Sequence, residues 1–237
     1  ESKIIKSPIN NISSFQPSFT NGERTRSYLK IQDGCNYNCS FCTIPLARGR
    51  SRSDTIKKTV EIAQNIADSG AREIVLTGIN IGDFGSVKDE NFLQLIMTLD
   101  NLKGIERFRI SSIEPNLLSD EIISFCADSN KFVPHFHIPL QSGADSILQN
   151  MKRRYNTDLY KSRVEYIKQL IPDCCIGVDV IVGYPGEEEE HFEQTKSFLE
   201  SMDISYLHVF SYSQRKDTVA ATLKNQVTKE KKDYRSK

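Results

Sequence analysis

Residues 34–42 read GCNYNCSFC and bring Cys35, Cys39 and Cys42 into one short segment. Thiolates are soft ligands that select zinc, copper(I) or iron–sulfur clusters. A closed structural zinc site wants four tetrahedral ligands, usually as two pairs, and this segment offers three with no histidine beside them. A cubane cluster is larger. Held by three cysteines, it keeps one iron without a protein ligand and open to a small molecule. The plainer alternative is three partly buried structural thiols. Gly34 and the small polar Asn36, Asn38 and Ser40 would let a loop wrap a cluster, and Phe41 would shield one face from water.

Other residues could do chemistry. His135 and His137 alternate on one side of a strand, an arrangement that could hold zinc in a barrel hydrolase. No carboxylate-bearing motif accompanies them, so barrel packing with a satisfied imidazole is the commoner reading. Cys126, Cys174 and Cys175 read as small core residues. Three basic stripes stand out: Arg48, Arg50 and Arg52; Lys152, Arg153 and Arg154; and the run over residues 229–237. Each fits phosphate contacts or an ordinary solvated face.

Positioning these groups takes a core, and 237 residues are enough for one. The 31 basic and 31 acidic residues balance, so a nucleic-acid partner would be met by a local stripe rather than by total charge. The longest apolar stretches are interrupted within ten residues, so no membrane span is expected. The start lacks an apolar leader, which points to a reducing cytoplasm in which clustered cysteines hold metal or do redox chemistry rather than pair. Residues 1–26 are rich in Ser, Asn, Pro and Thr, and read as a linker or arm. The start at Glu1, without Met, suggests a piece of something longer.

From Tyr28 onward, β-branched runs at 28–32, 73–77, 106–111, 133–138, 175–182 and 205–210 alternate with amphipathic stretches. Asp54 is the expected cap of the first helix and Gly70 its end; Pro172 stops the fourth. Repeated right-handed βα units fit an open doubly wound sheet or a partly closed barrel. In both, ligands collect at the carboxyl ends of strands. The cysteines follow the first strand, TGIN the second, SSIEPN the third, PLQSG the fourth and GYPGE the fifth.

The C-x3-C-x2-C spacing with an aromatic before the last Cys resembles the signature of radical S-adenosylmethionine enzymes. The blocks YLKIQDGCNYNCSFCTIPLARGRSRS, EIVLTGINIGDFG, RISSIEPNLL, FHIPLQSGADSILQNMKRRY, DVIVGYPGEEEEHFEQT and HVFSYSQR, in that order, resemble the methylthiotransferases among them. SSIEPN and MKRRY are most similar to the branch acting on N6-threonylcarbamoyladenosine in tRNA, ahead of those acting on isopentenyladenosine or a ribosomal-protein aspartate.

The resemblance implies an α/β fold, a partial (β/α)6 TIM-like barrel over residues 27–215. It implies a [4Fe-4S] cluster on Cys35, Cys39 and Cys42 whose open iron chelates S-adenosylmethionine, and reductive cleavage to methionine and a 5′-deoxyadenosyl radical. Thr77, Gly78 and Asn80 would meet the methionine part. Ser112, Glu114 and Gln141 would give polar contacts. Val180 and Ile181 would pass the adenine, with a main-chain contact from Phe41. Arg48, Arg50, Arg52, Lys152, Arg153 and Arg154 would meet RNA near an exposed anticodon-loop base. An electron donor such as flavodoxin or ferredoxin is implied. So are a second [4Fe-4S] cluster in an N-terminal domain and an RNA-binding C-terminal domain, with residues 216–237 a basic tail leading to it. QRKDT at 214–218 departs from the family's usual Arg-Pro-Gly-Thr. The rivals are a zinc barrel hydrolase and a metal-stabilised RNA-binding module.

Overall fold

Strands that alternate apolar and polar side chains bury one face against helices and leave the other free to line a lumen. Ile74, Leu76, Phe108, Ile110, Phe136 and Ile176 form such a buried face. The computed structural model describes residue 9 and residues 12–20, 25–86 and 89–237. Much of the expected N-terminal arm therefore lies outside the described residues.

The first half of the chain contains β1 (Ser18–Phe19), β2 (Arg26–Lys30), β3 (Gln32–Asp33), α1 (Ile44–Arg48), β4 (Arg52–Ser53), α2 (Ile56–Asp68), β5 (Glu73–Thr77), α3 (Phe92–Asp100) and β6 (Arg107–Ile110). It continues through α4 (Asp120–Asp128), β7 (His135–His137), α5 (Asp145–Asn150), α6 (Thr157–Leu170), β8 (Cys175–Val182), α7 (Glu189–Glu200), β9 (Tyr206–Ser211), α8 (Val219–Thr222) and α9 (Lys229–Arg235).

β2, β5 and β6 run parallel in chain order, and so do β7, β8 and β9. The two halves join where Phe108 N–H donates to Lys131 O (2.8 Å), Val133 N–H to Phe108 O (3.0 Å) and Ile113 N–H to His137 O (3.0 Å). Six parallel strands thus follow one another, and among the described residues no ladder joins β9 back to β2. The fold is a partial (β/α)6 barrel, as expected. Outside it, α2, α3, α4 and α6 cover one continuous core in which Phe108 stacks on Phe132 at 5.3 Å. Burying one such ring contributes about 1.5–3 kcal/mol.

Three expectations are corrected locally. The first strand is broken into β2 and β3, with β3 pairing antiparallel to β4 instead of continuing in the barrel. Thr55, not Asp54, caps α2: its hydroxyl accepts from Lys58 N–H at 3.3 Å, because the cap must sit directly before the first helical residue. Residues 216–237 are also no free tail. Arg235, at the end of α9, is buried and pairs with Glu187 at 2.7 Å and Glu189 at 2.8 Å, so its charge is spent inside the fold.

Candidate active site

The cysteine loop leaves β3 through Gly34, whose φ of +72° is a left-handed conformation open mainly to glycine. A Cβ there would lie 2.1 Å from Arg50 O. The buried Gln32 fixes both ends of the site. Its Nε2 donates to Gly34 O (2.7 Å) and Ser51 Oγ (2.9 Å), and its Oε1 accepts from Ile79 N–H (3.0 Å) and Asn80 N–H (2.8 Å). One amide therefore ties the cysteine loop to the TGIN turn. Farther along, Ser40 Oγ meets Asn150 O and the Tyr184 hydroxyl at 2.9 and 2.7 Å.

Each of the three sulfurs accepts a hydrogen bond: Cys35 from Tyr37 N–H (3.3 Å), Cys42 from Ile44 N–H (3.4 Å) and Cys39 from Arg153 Nη1 (3.2 Å). Donors aimed at sulfur favour the thiolate that a metal needs. Burial pushes the Cys35 and Cys39 thiols up, opposed at Cys35 by the Tyr37 amide and at Cys39 by the Arg153 charge. Arg153 itself pairs with Glu114 through Nη2 and gives Nε–H to the Tyr155 hydroxyl (3.1 Å). Burial disfavours its charge, but Tyr155, Glu114 and Cys39 outweigh that and hold it protonated.

Of the other expected ligand residues, Asn80 is connected to this loop through Gln32 and Glu114 through Arg153. Gly78, after Thr77, packs so tightly that a Cβ would lie 2.8 Å from Ile81 Cγ2 and 2.9 Å from Gln32 O. The Asn80 side chain is buried, and neither of its polar atoms has a hydrogen-bond partner. Gln141 sits at φ +69°, with its Oε1 buried and unpartnered as well. Unpaired buried amides cost free energy, so these two invite a ligand. Ile181 N–H donates to Gln141 O (2.9 Å), while the Val180 side chain turns outward into the core. Phe41 and Ile181 pack together on the cluster of Tyr184, Tyr212 and Met151. Ser112 is half-buried between β6 and Glu114.

The six cations divide. Lys152 and Arg50 are exposed, Arg48 is mostly exposed, and Arg154 is exposed over the Tyr37 ring at 3.9 Å. Arg52 is instead a brace: it bonds Asp33 (3.2 Å), Arg48 O (2.7 Å), Arg50 O (3.0 Å) and Ser14 O (3.1 Å). The Arg153 side chain is only 5% exposed. Neither of these two presents a guanidinium to a docking phosphate, which corrects their expected place on an RNA surface. Adjacent basic residues carry no signal of which points inward.

His135 and His137 are satisfied inside the barrel, as the commoner reading has it, and His137 gains a carboxylate that no sequence motif announced. His135 Nε2 meets the Tyr206 hydroxyl at 2.9 Å, whereas His137 finds the carboxylate expected to be missing, Asp179 of β8, at 3.0 Å. Gln32, Asn116, Asp179 and His208 carry chemistry that sequence spacing did not single out. Their partners are distant in sequence: Gln32 meets Ile79 and Asn80, Asn116 donates to the Tyr37 hydroxyl at 2.6 Å, and Asp179 bonds His137 and His208.

The sequence profile of the Radical SAM superfamily matches residues 29–199. The chain is 43% identical to the threonylcarbamoyladenosine tRNA methylthiotransferase MtaB of Bacillus subtilis (strain 168), over 97% of this chain and 53% of that protein. It is 38% identical to the tRNA-2-methylthio-N(6)-dimethylallyladenosine synthase of Lawsonia intracellularis, over 87% of this chain and 47% of that protein. Among solved structures, a radical S-adenosylmethionine methyltransferase, TsrM from Kitasatospora setae, superposes with a TM-score of 0.66 at 14% identity, covering 82% of this chain and 38% of that one. That likeness speaks to the fold. The chain spans about half the length of the curated relatives it matches.

Proposed function

The chain belongs to the Radical SAM superfamily, and on that premise we propose that it is the S-adenosylmethionine-cleaving core of an enzyme that methylthiolates carbon 2 of N6-threonylcarbamoyladenosine in a tRNA anticodon loop. The observation that carries the reading is the trio of hydrogen-bonded sulfurs on one loop, tied by Gln32 to a turn whose Asn80 amide is buried without a partner, as is the Oε1 of Gln141. The donor set fits a [4Fe-4S] cluster: three soft thiolates hold three irons and the fourth is left for S-adenosylmethionine. When bound, that cluster supplies the electron that splits the sulfonium.

The chain's own residues do the rest. Cys35, Cys39 and Cys42 hold iron. Arg153 sets a permanent positive charge beside Cys39 and offsets the negative charge of a thiolate-bound cluster. Asn80 and Gln141 complete their hydrogen bonds on the amino-acid or ribose end of the ligand, with Thr77, Gly78, Ser112 and Glu114 around them. The Val180–Ile181 backbone lies along the adenine, and Phe41 with Tyr184 keeps water off the cluster face. Arg48, Arg50, Lys152 and Arg154 make sequence-blind phosphate contacts whose strength falls with salt. A flavodoxin or ferredoxin donates the electron, and a second [4Fe-4S] cluster elsewhere in the longer protein handles sulfur. The compartment is the cytoplasm; among the described residues no helix is long and apolar enough to cross a membrane.

Mass spectrometry of tRNA nucleosides from cells lacking the full-length gene tests the substrate. Loss of the methylthio group from threonylcarbamoyladenosine supports the reading. Loss from isopentenyladenosine instead selects the second reading, favoured by the 38% identity to the dimethylallyladenosine enzyme.

A further inference from the structure

The lumen face of the second half-barrel is polar. In register across β7, β8 and β9, His137 neighbours Gly177, and Asp179 neighbours His208. His137 Nε2 lies 3.0 Å from Asp179 Oδ1, and His208 Nδ1 lies 3.1 Å from the same oxygen. All three ligand atoms fall within 4.8 Å of one another. Gly177 is the reason the lumen has room for rings here: a Cβ at that position would lie 2.0 Å from the Tyr206 ring. Tyr206 in turn stacks on His137 at 6.2 Å with its plane 14° off, which fixes the imidazole orientation.

We propose that His137, Asp179 and His208 form a binding site for one divalent transition-metal ion in the barrel lumen, separate from the cysteine loop. Zinc bound at its usual ~2.0–2.1 Å holds ligand atoms roughly 3.3 Å apart, so the 3.0 and 3.1 Å separations from Asp179 Oδ1 need only a small opening. Two imidazoles and one carboxylate suit ions of borderline softness, zinc or iron(II), ahead of calcium or magnesium. Metal entry replaces two hydrogen bonds by three coordinate bonds, from His137 Nε2, Asp179 Oδ1 and His208 Nδ1: the Nε2 proton of His137 moves to Nδ1, and the Nδ1 proton of His208 moves to Nε2, so no net proton is released from either ring. His208 is 56% exposed, which leaves the remaining coordination position to water or to an anionic ligand arriving through the lumen. His135 is outside the set because its Nε2 is taken by Tyr206.

The site lies directly under the ligand wall. The main-chain oxygen of Asp179 accepts from both Leu140 N–H (3.1 Å) and Gln141 N–H (2.8 Å), so the residue that would bind metal also anchors the loop carrying Gln141. The site stands independently of the cluster assignment, since it shares no ligand with it.

Equilibrium dialysis of the 237-residue chain against Zn²⁺ after anaerobic iron and sulfide loading, with elemental analysis of both metals, reads the two sites separately. We expect about one zinc per chain in addition to iron. His208→Ala and Asp179→Asn should lower zinc affinity beyond the 10- to 100-fold typical of losing a supporting partner, with iron content unchanged, while His135→Ala keeps the zinc. His208 is exposed, so its removal leaves the circular dichroism spectrum unaltered. X-ray absorption at the zinc edge should give only nitrogen and oxygen neighbours. Equal zinc in wild type and His208→Ala, or a sulfur shell at about 2.3 Å, overturns the proposal whether or not the iron cluster assembles.

Discussion

Arg153 is where residue chemistry and residue type part company. Read as one of three adjacent cations, it belongs to a basic surface; in the fold it is buried between Cys39, Glu114 and Tyr155. Its partners come from three different segments, and no local pattern marks such an arrangement. The cysteines, by contrast, were legible because their ligand spacing is local, and Asn80 and Gln141 because they follow strands. Removing one member of a buried ion pair strands the other, at about 3–5 kcal/mol. Arg153→Met should therefore lower the urea unfolding free energy of the cluster-free chain by roughly that amount. Glu114→Gln strands the more deeply buried Arg153 guanidinium in the same way and should cost a comparable amount; losses below about 1 kcal/mol, the level of an exposed pair, in both variants would mean that the pair is not the source of the stability.

At the scale of elements, all six barrel strands and the five long helices were readable from periodicity of two and of three to four. Among what escaped were short pieces: β1, α1, α5, α8, the β3–β4 ribbon and the break between β2 and β3. Elements of two to six residues show too few repeats for a period to register, and their stability comes from tertiary bonds such as those of Gln32 and Arg52. The break after β2 takes β3 out of the barrel ladder to pair with β4, and the cysteine loop then leaves β3 through Gly34. Gly34→Ala combines a left-handed φ with a 2.1 Å contact to backbone, a worse case than the 1–2 kcal/mol that handedness alone costs. We expect a lower melting temperature and a clear fall in iron retained after desalting. Unchanged iron binding would show that the loop tolerates another path.

For the whole molecule, the surprise is that the basic C-terminal run folds back. Composition could mark residues 229–237 as charged but could not tell a solvated helix from one clamped by Glu187 and Glu189. Burial pushes the Glu187 carboxyl above its ordinary value, with the Gly183 amide and Arg235 pulling against it. A raised folded value means that the folded chain binds the proton more tightly than the unfolded one, so this group adds stability fully below its unfolded value. The gain is lost as pH rises through the raised value. Subtracting the stability–pH curve of Glu187→Gln from that of wild type should leave a component that falls as pH rises above about 4.3, the ordinary glutamate value. A component that rises over that window would contradict the assignment.

The central claim is that three sulfurs on one loop hold an iron–sulfur cluster that opens S-adenosylmethionine. The most direct test is anaerobic turnover of the reconstituted chain with dithionite and S-adenosylmethionine, counting 5′-deoxyadenosine by liquid chromatography while following absorbance near ~400 nm, where iron–sulfur clusters absorb. Wild type should form the product and absorb, and Cys35→Ser, Cys39→Ser and Cys42→Ser should each lose both. Undiminished 5′-deoxyadenosine from any one of the three, or a colourless wild-type protein that still forms it, would contradict the account.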